Sequence, residues 1–454
     1  MQSQPGRRVA PDMNSEQQGL RFGPVRLAPG ISKGNTWALL LASFVSVGFL
    51  TFVNIGQAYV LNANLGIPGG EQGGISGYLA AWSEVVVICL IGVFGVLSDR
   101  IGRRPILVAG VLIMALSYVA YPLAGAEWHL FISRSIYAIG IAAMLGMMGT
   151  LIHDYPDELS RGKMIALTGV FNGIGVVFVL FVFGRAPEYF SARGVDDVAA
   201  GQYAHWAVAL ILVPCALILA KGLKGGTMVR HEDRPPVREL VVGGLQAAKN
   251  PRVALAYFSA FVSRSDFVVI GTFTVLWATV AGVEQGLTIA EAVRKGALLL
   301  ALANGAGLLW MPIMGFIIDR VNRTAALTFG AAVAAFAFTA MGFVDDPLSR
   351  EALPWFAMLG VGQTSCFFSS QALIGQEANI KERGSVVGMF GICGAIGILL
   401  ATGVGGQLFD AWMPAAPYVL IGVANGVVFV FALIVRMTAP GDVNIRRAQT
   451  TPPA

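Results

Sequence analysis

Four ionisable side chains, Glu84, Arg134, Arg264 and Asp266, stand inside long apolar stretches of the chain. A charge in such surroundings is costly and is normally paired, turned to a water-filled space, or used on an ion or substrate. Glu84 precedes Asp99 by fifteen residues, about 22 Å along a helix, so it sits in the half of its stretch away from Asp99, the outer half. Arg134 stands about six residues into another stretch, at comparable depth. A Glu84–Arg134 pair follows as one expectation, with a purely structural bridge as its plainer form. Arg264 and Asp266, in "AYFSAFVSRSDFVVIGTFTVLW", are two residues apart. On a helix that spacing turns them roughly 200° from each other, so they cannot pair well. At least one must face another helix or a central space.

Weaker candidates are the uncharged polar residues of the same stretches: Asn54, Gln57, Tyr59, Tyr137, Asn172, Asn304 and Gln363. Each reads as a possible cavity group or as a hydrogen bond between helices. Met144, Met147 and Met148 suit a flexible apolar lining or plain packing. Other chemistries are excluded. The four cysteines (Cys89, Cys215, Cys366, Cys393) all fall in apolar stretches, with no CxxC spacing. The histidines form no metal set, no phosphate-binding loop appears, and no nucleophile–base–metal set points to an enzyme. No metal or cofactor is expected.

The elements that must position these groups follow from composition. The 454 residues are 56% hydrophobic and 13% charged, with a mean hydropathy of +0.69; soluble domains carry about 25% charged residues. Twelve apolar stretches, each near the ~20 residues a span needs, run over 36–61, 75–97, 105–124, 129–152, 163–184, 203–221, 252–280, 295–318, 324–344, 352–374, 385–408 and 416–437. Only helices or closed barrels cross a bilayer, so the chain reads as an all-α membrane protein of twelve transmembrane helices. Residues 1–33 are polar, lack the apolar core of a signal peptide, and are expected to be a disordered tail. Of the 31 Lys and Arg, 24 fall in the termini and even-numbered turns, five on the other side and two within spans. By the positive-inside rule both termini are cytoplasmic. The formal charge of +5 then reflects topology and calls for no nucleic acid.

The chain also repeats. "GVLSDRIGRR" (95–104) returns as "GFIIDRVNRT" (315–324), matching Gly95, Asp99, Arg100 and Arg103 to Gly315, Asp319, Arg320 and Arg323. "ELSRGKMIALTGVFNGIG" (158–175) returns as "IKERGSVVGMFGICGAIG" (380–397) at nearly the same offset. Two six-helix halves in parallel orientation follow: 34–221 and 251–438, with an inter-bundle linker over 222–250 and a cytoplasmic tail over 439–454. In the linker, Val237, Leu240, Val241 and Leu245 fall at helical spacing, consistent with a short interfacial helix or a solvated connector.

With these residues in view, the chain resembles the major facilitator superfamily. Gly95, Leu97, Asp99, Arg100, Gly102, Arg103, Arg104 and Leu107 fit its signature loop between spans two and three, and "RSIYAIGIAA" (134–143) resembles its fourth-span motif, with Ala138 where a glycine is expected. The resemblance implies the two-bundle fold and a gate on the cytoplasmic side. Asp99 would meet the start of span eleven near Gly384-Ser385, and Arg103 would pair with Asp154. By the repeat, Asp319 would face the start of span five, with Arg323 near Glu377 and Arg320 in the same second-copy gate. The resemblance also implies that spans one, four, seven and ten line the cavity. Asp266 then becomes the candidate proton carrier, its charge set by the opposing pulls of burial and a nearby guanidinium.

The reading is a monomeric secondary transporter in the bacterial inner membrane, working by alternating access. Its cargo is a small organic solute, anionic or amphiphilic, with proton coupling. A lipid or amphiphile flippase and an uncoupled uniporter are the alternatives. The glycine–proline signature of many proton-coupled drug exporters is absent from "GVFNGIGVVFVLFVFG", and span one carries no acid.

Overall fold

A computed structural model describes residues 20–226, 237–378 and 383–439. Two bundles of six long helices account for most of them. The first holds α1 (Lys33–Ala63), α2 (Gln72–Ile101), α3 (Arg103–Ala120), α4 (Glu127–Asp154), α5 (Arg161–Phe183) and α7 (Asp197–Gly222), with the short α6 (Ala186–Ser191) after α5. The second holds α9 (Pro251–Glu284), α10 (Ile289–Arg320), α11 (Arg323–Ala340), α12 (Leu353–Glu377), α13 (Arg383–Ala411) and α14 (Ala416–Thr438). Twelve crossings bring both described ends to one face, here the terminal face; the opposite one is the far face.

Local chemistry sets the helix ends. Ser32 and Asn35 form a capping box before α1, and Thr288 and Glu291 form another before α10. Asn250 caps α9 just ahead of Pro251. Eleven helices among the described residues are long and apolar enough to span a membrane. The twelfth long helix, α12, is too polar by that measure, and it turns Ser365, Ser369 and Ser370 inward, fully buried. Ser370 shares a 2.7 Å hydrogen bond with Ser259 of α9, and the Trp310 indole donates to Ser365 at 2.8 Å. Polar groups joining helices in this way satisfy themselves where lipid cannot.

Small residues let the backbones approach. A Cβ on Gly48 would stand 2.7 Å from the Gly175 backbone, so α1 and α5 touch directly. Between the bundles, α2 packs on α13, α5 on α10, and α1 on α9.

Two segments on the terminal face differ from expectation or sharpen it. From residue 20 the expected disordered tail is folded: β1 (Arg21–Phe22) and β2 (Val25–Arg26) form an antiparallel hairpin, and Val25, Leu27 and Ile31 are buried. It is pinned to the turn between α4 and α5, where Ala28 N–H donates to the Tyr155 carbonyl and Asp157 N–H to the Arg26 carbonyl, both at 2.9 Å. Tyr155 is itself buried, which pushes its phenol above the usual range, and its hydroxyl accepts from Lys224 N–H at 3.0 Å. Residues 1–19 lie outside the described residues, as do 227–236 of the linker and 440–454. In the rest of the linker, α8 (Val237–Ala247) forms where the apolar spacing placed a helix. It packs on the start of α13, with Gly243 and Gly244 against Ser385 and Met389.

Candidate functional site

A cavity of about 100 Å³ lies between the bundles midway along the helices. Asn54 of α1, Glu84 of α2, Arg134 and Tyr137 of α4, Asn304 of α10 and Gln363 of α12 supply its polar wall. Phe267 and Gly271 of α9 close one side. Two of the four intramembrane charges thus reach the cavity.

Arg134 is only 4% exposed. Its guanidinium stands 5.0 Å from the centre of the Tyr137 ring, and Tyr137 is fixed by donating to the Leu50 carbonyl at 2.7 Å. Among the described residues, neither Nε nor one terminal nitrogen of Arg134 has a hydrogen-bond partner. Both nitrogens are enclosed at the cavity wall, on a group whose planar donors match a carboxylate or phosphate.

Glu84 and Arg134 line the same cavity, but the expected pair does not form: no ion pair within 4 Å joins them among the described residues. Arg264, on α9 of the opposite bundle, lies within electrostatic range of Glu84. Arg264 shares the α9 face of Phe267 and Gly271 and packs along Gly394 of α13. Asp266 points away from the cavity, as the 200° spacing requires of one member. It is fully buried inside the second bundle, where Asn425 of α14 donates to it at 2.9 Å.

Other polar candidates separate in the same way. Asn54, Tyr137, Asn304 and Gln363 line the cavity. Gln57 instead accepts from the Tyr121 hydroxyl at 3.1 Å, and Tyr59 donates to the Asp197 carbonyl at 2.8 Å. Asn172 is half-buried on α5, outside the lining. Thr51, Ser83 and Thr272 also line it, and sequence reading missed all three.

On the terminal face, Gly102 takes a left-handed φ of 93° and turns the chain from α2 into α3. Arg103 forms an ion pair with Asp154. Arg104 packs its guanidinium against Gly225 of the linker, and Arg100 is exposed. Asp99 is half-buried in the last turn of α2. Ser385, at the start of α13, is covered by α8. In the second copy, Arg323 lies 3.7 Å from Asp319, and Arg320 lies over the Phe316 ring. Glu377 does not take Arg323: it pairs with Arg252 at 3.3 Å and accepts from Asn250 at 3.1 Å, so it ties α12 to the start of α9. The difference is one of reach, since Arg252 begins a helix packed directly beside the end of α12.

At the far face the bundles are clasped. The Asp410 carboxylate, from the last turn of α13, accepts from Gly73 and Gly74 N–H at the start of α2. Arg294 of α10 pairs with Glu188 of α6 at 2.6 Å. A Cβ on Gly77 would run into the Thr402 carbonyl and Gly406, so α2 and α13 are in direct contact there. Toward the terminal face the same helices part: among the described residues, Gly92 and Gly95 of α2, and Gly384, Gly388 and Gly391 of α13, have open space where a Cβ would stand. Among the described residues, then, α2 and α13 touch at the far face and stand apart toward the terminal one.

Comparison with known proteins adds likenesses of sequence and of fold. The family model described as Major Facilitator Superfamily matches residues 39–359. Magnetosome protein MamH of Paramagnetospirillum magneticum is 30% identical over 414 residues, 87% of this chain and 91% of MamH. Magnetosome protein MamZ of the same organism is 25% identical over 400 residues; the match covers 83% of this chain but 58% of MamZ. Among solved structures, nucleoside transporter NupG superposes with a TM-score of 0.68 at 11% identity, over 90% of this chain and 99% of NupG. That likeness is one of fold.

Proposed function

The chain belongs to the Major Facilitator Superfamily, and on that premise we propose that it carries a small organic anion across the bacterial inner membrane, coupled to protons. It is a multi-pass membrane transporter and not an enzyme. The terminal face is assigned to the cytoplasm by the Lys and Arg bias, which makes the described state inward-facing.

The observation that carries the reading is Arg134, buried at the cavity with donors that no described protein group satisfies. Unpaired buried charge is unfavourable, and an entering carboxylate or phosphate relieves it. The cavity offers about 100 Å³ of water-accessible space, against roughly 10–15 Å³ for one water on the same measure. That size favours a compact anion over a bulky amphiphile.

Glu84, rather than Asp266, is the coupling carboxylate in this account. It shares the cavity with the anion site, and its counter-charge Arg264 sits on the other bundle. Rocking of the bundles about the cavity changes the Glu84–Arg264 separation, and with it the balance between proton and guanidinium. Asp266 is enclosed within one bundle and plays a packing role. The gate at Asp99, Arg103 and Asp154 acts on access and holds no cargo.

The test is uptake into proteoliposomes of a panel of labelled organic acids, sugars, amines and amphiphiles, with Arg134→Gln beside the wild type. Uptake confined to acids and lost in Arg134→Gln supports the reading. Uptake of neutral solutes or amphiphiles that survives Arg134→Gln rejects it in favour of a uniporter or flippase. The likeness to two magnetosome proteins adds one setting to examine, the magnetosome membrane, by locating the tagged chain in its native cells.

A further inference from the structure

The hairpin of β1 and β2 builds a cationic cleft that shares no lining residue with the central cavity. Arg21, Arg26 and Lys163 converge on a cleft of about 340 Å³ whose remaining wall is Gly23, Pro24, Leu159 and Ser160. Among the described residues, no acidic side chain lines it. The acid closest in sequence, Glu158, is engaged with Arg161 at 3.5 Å.

The cleft is a fixed structure and not a loose basic tail. Arg26 N–H donates to Ser160 Oγ at 3.0 Å, which locks the hairpin to the start of α5, and the flanking Val25 and Leu27 are buried. Its rim carries the marks of a membrane interface. Phe22 meets Trp37 edge-on at 5.2 Å, and Trp37, in the second turn of α1, is 57% exposed. Leu159, in the cleft wall, is 86% exposed. An exposed tryptophan near a helix end belongs at headgroup level. The positive-inside rule accounts for basic residues on this face, but not for three of them on one cleft with an apolar rim.

We propose that this cleft binds the phosphodiester headgroup of an anionic phospholipid from the adjacent leaflet. Arg21 and Arg26 offer planar forks to the phosphate oxygens, Lys163 adds a point charge, and Leu159 and Trp37 rest against the glycerol and upper acyl region. Basic pockets at the cytoplasmic ends of spanning helices take lipid headgroups by this chemistry. The lipid would thereby clamp the start of α1 to the start of α5 within the first bundle.

Native mass spectrometry of the full chain in detergent, titrated with phosphatidylglycerol or phosphatidylcholine, tests the proposal. The triple variant Arg21→Ser, Arg26→Ser, Lys163→Ser is compared with a control of equal charge loss, Lys221→Ser, Lys249→Ser, Arg436→Ser. Wild type and control should hold phosphatidylglycerol, and the cleft variant should bind it roughly a hundred-fold more weakly. Phosphatidylcholine should bind all three alike, and millimolar inorganic phosphate should displace nothing. Lys163→Glu alone, which leaves the hairpin sequence intact, should weaken phosphatidylglycerol binding about ten-fold. Equal phosphatidylglycerol binding by the cleft variant, equal loss in the control, or displacement by inorganic phosphate would each overturn the proposal.

Discussion

Asp410 and Gly73 lie 337 positions apart in the chain and on opposite bundles, yet the Gly73 N–H donates to Asp410 Oδ1 at 2.8 Å. Gly74 N–H donates to the other oxygen at 2.6 Å. Two of the N–H groups that the first turn of a helix leaves without internal partners are thus met by an acid from the other bundle, at the helix end where negative charge is favoured. Because the bond crosses between bundles, it stabilises one conformation only.

Asp410→Ala is expected to release that clasp. A hydrogen bond to a charged group contributes about 1.5–3 kcal/mol, enough to move the closed population by ten-fold or more. Spin labels at Trp128→Cys and Phe343→Cys, exposed far-face positions on the two bundles, report it in a background without the native cysteines. The variant should show a longer-distance population that the parent lacks. An unchanged distribution means that Arg294–Glu188 and the helix packing hold the far face alone.

Gly77→Leu and Gly95→Leu should separate the two ends of the cycle. A side chain on Gly77 collides with Thr402 and Gly406, whereas one on Gly95 meets open space. Gly77→Leu should therefore shift the spin-label distances toward far-face opening. Gly95→Leu should leave the closed far face and its thermal stability as they are while cutting transport, because α2 must pack when the terminal face closes. Normal transport by Gly95→Leu would contradict that motion.

Arg134→Met should raise stability and abolish transport together. The substitution removes an unsatisfied buried cation and keeps most of the volume, so the unliganded protein gains on the order of 1–4 kcal/mol in thermal unfolding. Loss of both stability and transport would mark Arg134 as structural.

Glu377→Ala should cost about 1–3 kcal/mol, since Glu377 is 8% exposed and joined to both Arg252 and Asn250. Asp319→Ala, whose side chain is 65% exposed, should stay within about 0.5 kcal/mol. Unfolding in detergent compares the two; equal effects would return Asp319 to a structural clasp.

Much of this was legible in sequence. The apolar stretches, the repeat and the intramembrane charges point to two six-helix bundles with Glu84 and Arg134 at comparable depth. Helix phase was not legible: nothing in "SRSDF" says which of Arg264 and Asp266 turns into the second bundle, and the burial of Asp266 against Asn425 fixes it. Asp410 reads as a plain charge after span eleven, although Gly73 and Gly77 opposite Gly406 and Asp410 are four-residue spacings that suit close helix contact. The hairpin was hidden by the polar composition of the first 33 residues, against which the buried Val25, Leu27 and Ile31 form a short signal.

Proton movement in proteoliposomes loaded with a pH-sensitive dye, driven by a gradient of a transported acid, decides which carboxylate couples transport to protons. Wild type and Asp266→Asn should acidify. Glu84→Gln should not, while exchange of labelled acid continues. Proton movement that survives Glu84→Gln and disappears in Asp266→Asn would overturn the role given to Glu84 and place the coupling site inside the second bundle.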